Sequence, residues 1–382
     1  MLAWIAAGLA VVIVVASIGA YLKFRSVWDS IKRVSIARLG PQPPKLTSAT
    51  NILVIGSDTR AGPNRKFGAD ITGQRSDTIM VLHIAPGKQG VIVLSIPRDS
   101  VVPVLACPPE PGSAGQLAQP GQVEQINATF ANGGPACLFK TVEQTSHLHL
   151  DHFIELNFTG FERVIDDIGG VSICLPFAIN DPLSNLHLSR GRHHVYGREA
   201  LAFWRARYIG EGSDLQRIRR DQYLMVSLLQ GIERRDLLAS PSRILAVSTD
   251  AAHSMTTDSG LSLPTMIGII DSLRHLPPGS VQFIELPTVQ YPRNPNWVSW
   301  PASDASLFSA IARDQAVGPT AKMSGRALTN GPAQFTATKV AAKASAPPGS
   351  GPRNLARSYG GITGSANVCN DSTAFAGPRG GS

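Results

Sequence analysis

The chain opens on an unbroken apolar stretch. Residues 2–22 carry no charge and include Trp4, Ile5, Leu9, Val11, Val12, Ile13, Val14 and Val15. A helix of that length crosses the roughly 30 Å hydrocarbon core of a bilayer. The pattern predicts a transmembrane signal-anchor over residues 1–22, with a cleaved signal peptide as the other reading because Ser17, Gly19 and Ala20 are small. Further on, Asn51–Gly56 (NILVIG) is continuously apolar, as in a strand buried on both faces. Thr78–Ala85 (TIMVLHIA) and Val91–Ile96 (VIVLSI) repeat the signal on either side of the short turn Pro86–Gly90, which makes them an antiparallel hairpin.

After that the period changes to that of helices. Amphipathic spacing predicts helices over Ala136–His147, Phe158–Ile168 and 197–205, and a capping box at Ser213–Gln216 opens another that runs to Leu229. A strand is expected at Val171–Leu175, a helix near Thr265–Leu276 and a strand at Val281–Leu286. This order predicts an α/β fold: a mixed β-sheet covered on both faces by helices (an α/β/α sandwich), preceded by the transmembrane helix. The expected organisation is the span at 1–22, a juxtamembrane linker at 23–49, the main domain at 50–235, an extension or small subdomain at 236–316, and a disordered basic tail at 317–382.

Charge changes the picture little. The net charge is +8, but Lys322, Arg326, Lys339, Lys343, Arg353, Arg357 and Arg379 face only Asp371 in the tail, which accounts for +6 of it. The rest of the chain is nearly balanced, so nucleic acid is excluded as a partner. The four cysteines lack zinc-site spacing and suit an oxidising exterior. Cys107 and Cys137 bracket one Pro/Gly/Gln-rich loop and are the expected bridge, unpaired thiols being the alternative. Lys23, Arg25, Lys32 and Arg33 just after the span argue for the opposite, cytoplasmic orientation by the positive-inside rule.

The chemistry sits at strand ends. Asp58 and Arg60 follow the first strand, Arg75 and Asp77 precede the second, and Arg98 and Asp99 follow the third. If the first strand runs parallel to the third, three Asp/Arg pairs meet on one rim, where open α/β sheets carry their sites. The plainer alternative is three surface ion pairs. Residues 186–220 add eight arginines (190, 192, 198, 205, 207, 217, 219 and 220) and no lysine. The planar guanidinium fork grips phosphate oxygens in pairs, which an ammonium cannot do. Arg217 and Arg220 share a face of a helix's opening turn, where the backbone itself attracts anions. Arg190, Arg192 and Arg219 are read as a solvated face. Asp58 and Asp77 suit Mg²⁺ (or Mn²⁺), which takes one or two protein carboxylates plus phosphate oxygens and water. Together these residues point to phosphoryl transfer by positioning and charge neutralisation. There is no Walker A loop and no Gly-x-Ser-x-Gly elbow.

The strings NILVIGSDTR, RSDT, SIPRDS, INATFANGG, DHFIELNFTGFERVIDDIGGV, GREALAFWRARY and GSDLQRIRRDQ, in this order over about residues 50–232, resemble the LytR–CpsA–Psr family of cell-wall enzymes, in its actinobacterial form. The resemblance implies a single-pass membrane protein whose catalytic domain, 50–235, lies outside the cell. It implies a phosphotransferase that moves a glycopolymer from a polyprenyl-pyrophosphate carrier to peptidoglycan through a phosphodiester. The family's metal-associated aspartates fall on Asp58 and Asp77, and its pyrophosphate-contacting arginines on Arg75, Arg98, Arg205, Arg207 and Arg217. The catalytic set is then Asp58, Asp77, Arg98, Arg205 and Arg207, with Arg220 added to the pyrophosphate group by its place on the helix. The glutamine that usually follows the last arginine by four positions is replaced by Asp221, with Gln222 next. The prenyl chain is expected between the sheet and the helices at 136–168. Two other functions fit the same residues: a polyprenyl-pyrophosphate pyrophosphatase, with water as nucleophile, and a non-enzymatic protein that holds a lipid-linked polymer.

Overall fold

The computed structural model describes residues 14–15, 18–19, 21–22, 25–36, 40–59, 62–67, 75–107, 122–206, 214–234, 241–274, 276–315 and 361–363. Among them are strands β1 (Lys32–Val34), β2 (Thr50–Ser57), β3 (Ser76–Ile84), β4 (Val91–Ile96), β5 (Val101–Pro103) and β6 (Val123–Gln125). Helix α1 (Ile126–Ser146), strand β7 (His152–Asn157) and helix α2 (Phe158–Asp167) follow. Next come β8 (Val171–Leu175), β9 (Ile179–Asp181), β10 (Leu186–Leu188), β11 (Gly191–Val195), α3 (Gly197–Arg205), α4 (Asp214–Arg234) and α5 (Pro241–Ser254). The last are β12 (Met255–Asp258), α6 (Leu263–Arg274), β13 (Val281–Glu285), β14 (Val289–Gln290), β15 (Val298–Ser299), α7 (Asp304–Ala312) and β16 (Ile362–Thr363).

Eight strands form one mixed sheet in the order β1–β12–β7–β2–β3–β4–β13–β16. The hairpin appears as expected: β3 is antiparallel to both β2 and β4, so β2 and β4 run the same way. Strand β7 is parallel to β2, and β13 is parallel to β4. The sheet therefore draws on more of the chain than residues 50–235. Strand β1 comes from the stretch read as linker, β12 and β13 from the stretch read as an extension, and β16 from the stretch read as tail. The remaining tail residues, with Cys369, lie outside the described residues, as does most of the apolar stretch 2–22. Among the described residues no helix is long and apolar enough to cross a membrane.

Alternation along the strands divides two cores. Leu53, Ile55, Ile79, Val81, Leu94 and Phe153 point to the face covered by α1 and α7, where they pack with Phe130, Leu138, Phe139 and Phe308. Ile52, Met80, Val91, Val93 and Phe283 point to the other face, against Val226 of α4 and Ile269 of α6. The face under α1 is closed, with most of its side chains wholly excluded from solvent, whereas half-buried Val54, Leu82, Ile154, Met225 and Leu229 border the core under α4. Helix α1 starts ten residues before the helix predicted at Ala136, and runs through a kink at Gly134 (φ 69°) and Pro135. Its second half carries Cys137, which is bonded to Cys107.

The stretch 40–50 is tied down by side chains rather than left loose. Gln42 donates to Glu143 at 2.8 Å and to the Leu150 carbonyl at 3.0 Å, and Lys45 pairs with Asp151. Glu143 is itself wholly buried against Lys140, at 2.8 Å. A buried ion pair of this kind needs its surrounding hydrogen bonds to offset desolvation, and Gln42 and the Leu150 amide supply them.

Asp304, the first residue of α7, is 2% exposed, and neither carboxylate oxygen has a hydrogen-bond partner among the described residues. Burial pushes its carboxyl up to about 7. A folded-state value above the unfolded one stabilises at low pH, and that contribution is lost as pH rises from about 4 to about 7. Asp304→Asn is expected to leave stability at pH 4 unchanged and to raise it at pH 8 by roughly 1–3 kcal/mol. Thermal melting across that range checks it; equal gains at both pH values would refute the charge-burial account.

Candidate active site

The parallel directions of β2 and β4 bring the end of β2, the start of β3 and the end of β4 to one rim. Asp58 follows β2, and its backbone N–H donates to the Arg75 carbonyl at 3.0 Å. In return the Arg75 N–H donates to Asp58 Oδ1 at 2.6 Å. Asp58 thus joins two strand ends, while the Arg75 side chain is exposed at the rim.

Asp77 owes its position to a bulge. Gly56 pairs with Thr78 and Ser57 with Ser76, which leaves Asp77 as the extra residue on β3. A bulge re-aims the side chain it carries. The Asp77 carboxylate accepts from Arg98 Nη1 at 2.5 Å, and its other oxygen lies 3.4 Å from Arg217 Nη2. Arg98 also faces Asp99, Nε to Oδ2 at 3.5 Å, and Asp99 Oδ1 accepts from Gln125 Nε2 at 2.8 Å. Carboxylates and guanidiniums thus alternate from Arg217 through Asp77 and Arg98 to Asp99, neutralising one another.

The arginines after residue 190 separate into different places. Arg217 is 6% exposed and joins the chain of charges from α4. Arg205, at the end of α3, lies over the Phe158 ring at 5.0 Å. Two close contacts set α3 there. Trp204 lies against Gly56, where an added Cβ would come within 3.1 Å of the indole, and packs at a tilt on Phe161, 4.4 Å between ring centres. Arg220, expected to contact pyrophosphate, is 2% exposed and donates through Nη2 to the Ala206 carbonyl at 2.9 Å. That bond ties it to the residue that follows Arg205. Arg192 is exposed on β11. Arg60 and Arg207 lie outside the described residues.

Asp221 is buried, with Oδ2 3.5 Å from Thr78 Oγ1. A carboxylate there adds negative charge beside Asp77, where the resemblance has a neutral amide. Gln125 was not foreseen. It ends a three-residue strand with no periodicity to mark it, and only β5–β6 pairing and the turn at 98–100 bring it to Asp99.

Two spaces open beside Arg98. Between the sheet and α4 lies a gap of about 10 Å³, bordered by Asp77, Met80, Ile96, Arg98, Arg217 and Ile218. On the side of α1 lies a cleft of about 370 Å³. The helices at 136–168 do not share a single slot against the sheet. Those two helices are on opposite faces, since α2 packs on Leu156 and Ser254 while α1 covers Phe153. The core under α1 is also already full.

Asp58 and Asp77 offer hard oxygen ligands on adjacent strand ends, a donor set that fits Mg²⁺ when phosphate oxygens and water complete the shell. Among the described residues no group of three or more His, Cys, Asp or Glu is placed to hold a metal by itself.

The chain is 34% identical over 220 residues to the probable cell wall biosynthesis protein LcpB of Corynebacterium glutamicum, covering 56% of this chain and 49% of that one. It is 26% identical over 267 residues to the polyisoprenyl-teichoic acid–peptidoglycan teichoic acid transferase TagU of Bacillus cereus, covering 68% and 80%. It spans about half the length of the two corynebacterial relatives, LcpB and LcpA. Among solved structures, the LytR-Csp2A-Psr enzyme from Actinomyces oris matches with a TM-score of 0.56 at 21% identity, over 74% of this chain and 96% of that one. The Bacillus subtilis TagV structure matches with a TM-score of 0.54 at 22% identity, over 70% and 98%. At those identities the likeness establishes the fold, a mixed sheet flanked by helices. A model of the LytR_cpsA_psr family matches residues 26–311, about three quarters of the length, and the chain therefore belongs to that family.

Proposed function

We propose that this protein is a phosphotransferase that moves a glycopolymer from a polyprenyl-pyrophosphate carrier onto peptidoglycan. The observation that carries the reading is the bulge-borne Asp77 carboxylate held between Arg98 and Arg217 at the rim. Guanidinium pairs of this kind suit a diphosphate, whose oxygens take over the contacts made by Asp77 in the free protein. Arg75, exposed at the rim, would receive one of the remaining oxygens, and Arg205, over Phe158 just past the end of β7, is assigned to the same diphosphate. Asp58 and Asp77 would hold Mg²⁺, which when bound offsets the negative charge of the diphosphate. The protein's own residues then fix the diphosphate so that an acceptor hydroxyl attacks the phosphorus attached to the sugar and prenyl phosphate leaves.

The prenyl chain is assigned to the face under α4. The narrow gap beside Asp77 is floored by Met80, Ile96 and Ile218, and the half-buried Val54, Leu82, Met225 and Leu229 border the same side. The apolar stretch 2–22 anchors the chain to the cell membrane in this reading. The Cys107–Cys137 bridge supports a domain outside the cytoplasm.

Incubating the full chain with a prenyl-diphosphate-linked glycan, with and without peptidoglycan fragments, tests this. Transfer is expected to yield polymer covalently bound to the acceptor and free prenyl phosphate, and chelation by EDTA is expected to stop it. Release of prenyl phosphate at the same rate without acceptor, and no linked polymer with it, would make the protein a pyrophosphatase.

A further inference from the structure

The cleft on the α1 side of Arg98 has a different chemistry from the gap under α4. Among the described residues it is lined by Arg75, Arg98, Asp99, Gln125 and Asn127, with Ala128 and Ala131 as its apolar wall. Its volume, about 370 Å³, lies in the range of small-molecule sites. Guanidinium and amide donors beside one carboxylate suit a ligand rich in hydroxyls. Ala128 and Ala131 stand three apart on α1, so they share a face and leave room for a ring whose C–H side would lie on them.

Asp99 is held with unusual care for a rim residue. Its carbonyl accepts from Val298 N–H at 3.2 Å, while the neighbouring carbonyls of Arg98 and Ser100 accept from Asn127 and Ile126 at 3.3 and 2.7 Å. Its side chain is fixed by Gln125 at 2.8 Å and faces Arg98 at 3.5 Å. An ionised carboxylate has about four acceptor positions, so these two contacts leave capacity for a substrate hydroxyl. A group held from three elements in this way is preorganised for a ligand rather than merely exposed.

We propose that this cleft is the acceptor subsite, that it takes a pyranose of the peptidoglycan glycan, and that Asp99 is the catalytic base. The proposal rests on the phosphotransferase reading above. An in-line displacement needs nucleophile and leaving group on opposite sides of phosphorus. With the prenyl phosphate leaving on the α4 side of Arg98, the hydroxyl arrives from the α1 side, and the donor glycan stays on an equatorial oxygen, pointing to solvent. As the acceptor O–P bond forms, the hydroxyl proton passes to the Asp99 carboxylate. The bond from that phosphorus to the bridging oxygen breaks, and prenyl phosphate departs with the electron pair. Asp99 then returns its proton to water in the open cleft.

The test uses the full chain, a farnesyl-diphosphate-linked N-acetylglucosamine donor and soluble peptidoglycan fragments, with donor affinity measured separately by calorimetry. Asp99→Asn is expected to lower transfer kcat at least about 100-fold, with donor affinity and acceptor KM within about threefold of wild type. Ala131→Phe, which fills the cleft, is expected to raise acceptor KM at least tenfold and to leave donor affinity unchanged. Transfer by either variant at the wild-type rate and KM overturns the subsite while leaving the phosphotransferase reading intact. A wild-type chain that neither cleaves the donor nor transfers from it overturns both.

Discussion

Replacing Arg98 by Ala is expected to lower phosphotransfer at least 100- to 1,000-fold, the cost of removing one preorganised donor from a developing phosphoryl charge. Arg98 is the hinge of the charged chain, since it meets Asp77 through Nη1 and Asp99 through Nε. In the proposed reading its loss would remove a forked donor from the diphosphate and let Asp77 turn wholly toward Arg217, 3.4 Å away. Arg98→Lys keeps the charge but not the fork, so it is expected to recover only part of the rate. The side chain is 19% exposed, so neither variant should unfold the protein. Arg192→Ala, on an exposed strand position, is the control and should change nothing. Steady-state kcat and kcat/KM for the three variants, beside their melting temperatures, decide the matter. An Arg98→Ala enzyme within tenfold of wild type would show that the rim arginine does not touch the reacting phosphate.

Gly197→Ala is expected to cost about 3 kcal/mol of stability or more, and to reduce prenyl-diphosphate binding in the fraction that folds. Gly197 opens α3 against the backbone of α2. A Cβ built there lies 2.1 Å from the Glu162 carbonyl oxygen and 2.7 Å from its carbon. Backbone within a helix cannot step aside as a long side chain can, so α3 must move. That shift breaks the Gly197 N–H bond to Asp166 Oδ1 at 2.8 Å and draws Trp204 off Gly56. Arg205, at the far end of the same short helix, leaves its place over Phe158. Displacements of about 1 Å in a positioning group can cost 100-fold in rate. Thermal melting and calorimetric titration with geranylgeranyl diphosphate measure both effects. An alanine variant with wild-type stability and affinity would mean that the contact between α2 and α3 does not position Arg205.

The parts of this site that could be read from sequence are those whose geometry is local. The apolar runs of β3 and β4 and the short turn between them were enough to bring Asp77 and Arg98 to one rim, whereas Asp58 joined them only on the condition that β2 runs parallel to β4, which the pairing bears out. What escaped depends on register and packing. Asp77 is a bulge residue only because Gly56 pairs with Thr78 and Ser57 with Ser76, and nothing in the run TIMVLHIA announces that slip. Arg220 shares a helical face with Arg217, yet tertiary packing turns it to the Ala206 carbonyl. The first half of α1 was hidden by Asn127, Asn132 and the Gly133-Gly134-Pro135 break, although the helix carries on through it. Strand β13 was visible as an apolar run, but its place beside β4 follows from a long connection that sequence period does not encode.

Binding is the most direct measure of the claim that this rim grips a lipid-borne diphosphate. Calorimetric titration of the full chain with geranylgeranyl diphosphate, in Mg²⁺, should show saturable binding. Arg98→Ala should weaken it at least tenfold, and geranylgeraniol, which shares the chain but lacks the phosphates, should bind far less tightly. Equal affinity for the alcohol and the diphosphate, or no loss in the variant, would contradict it.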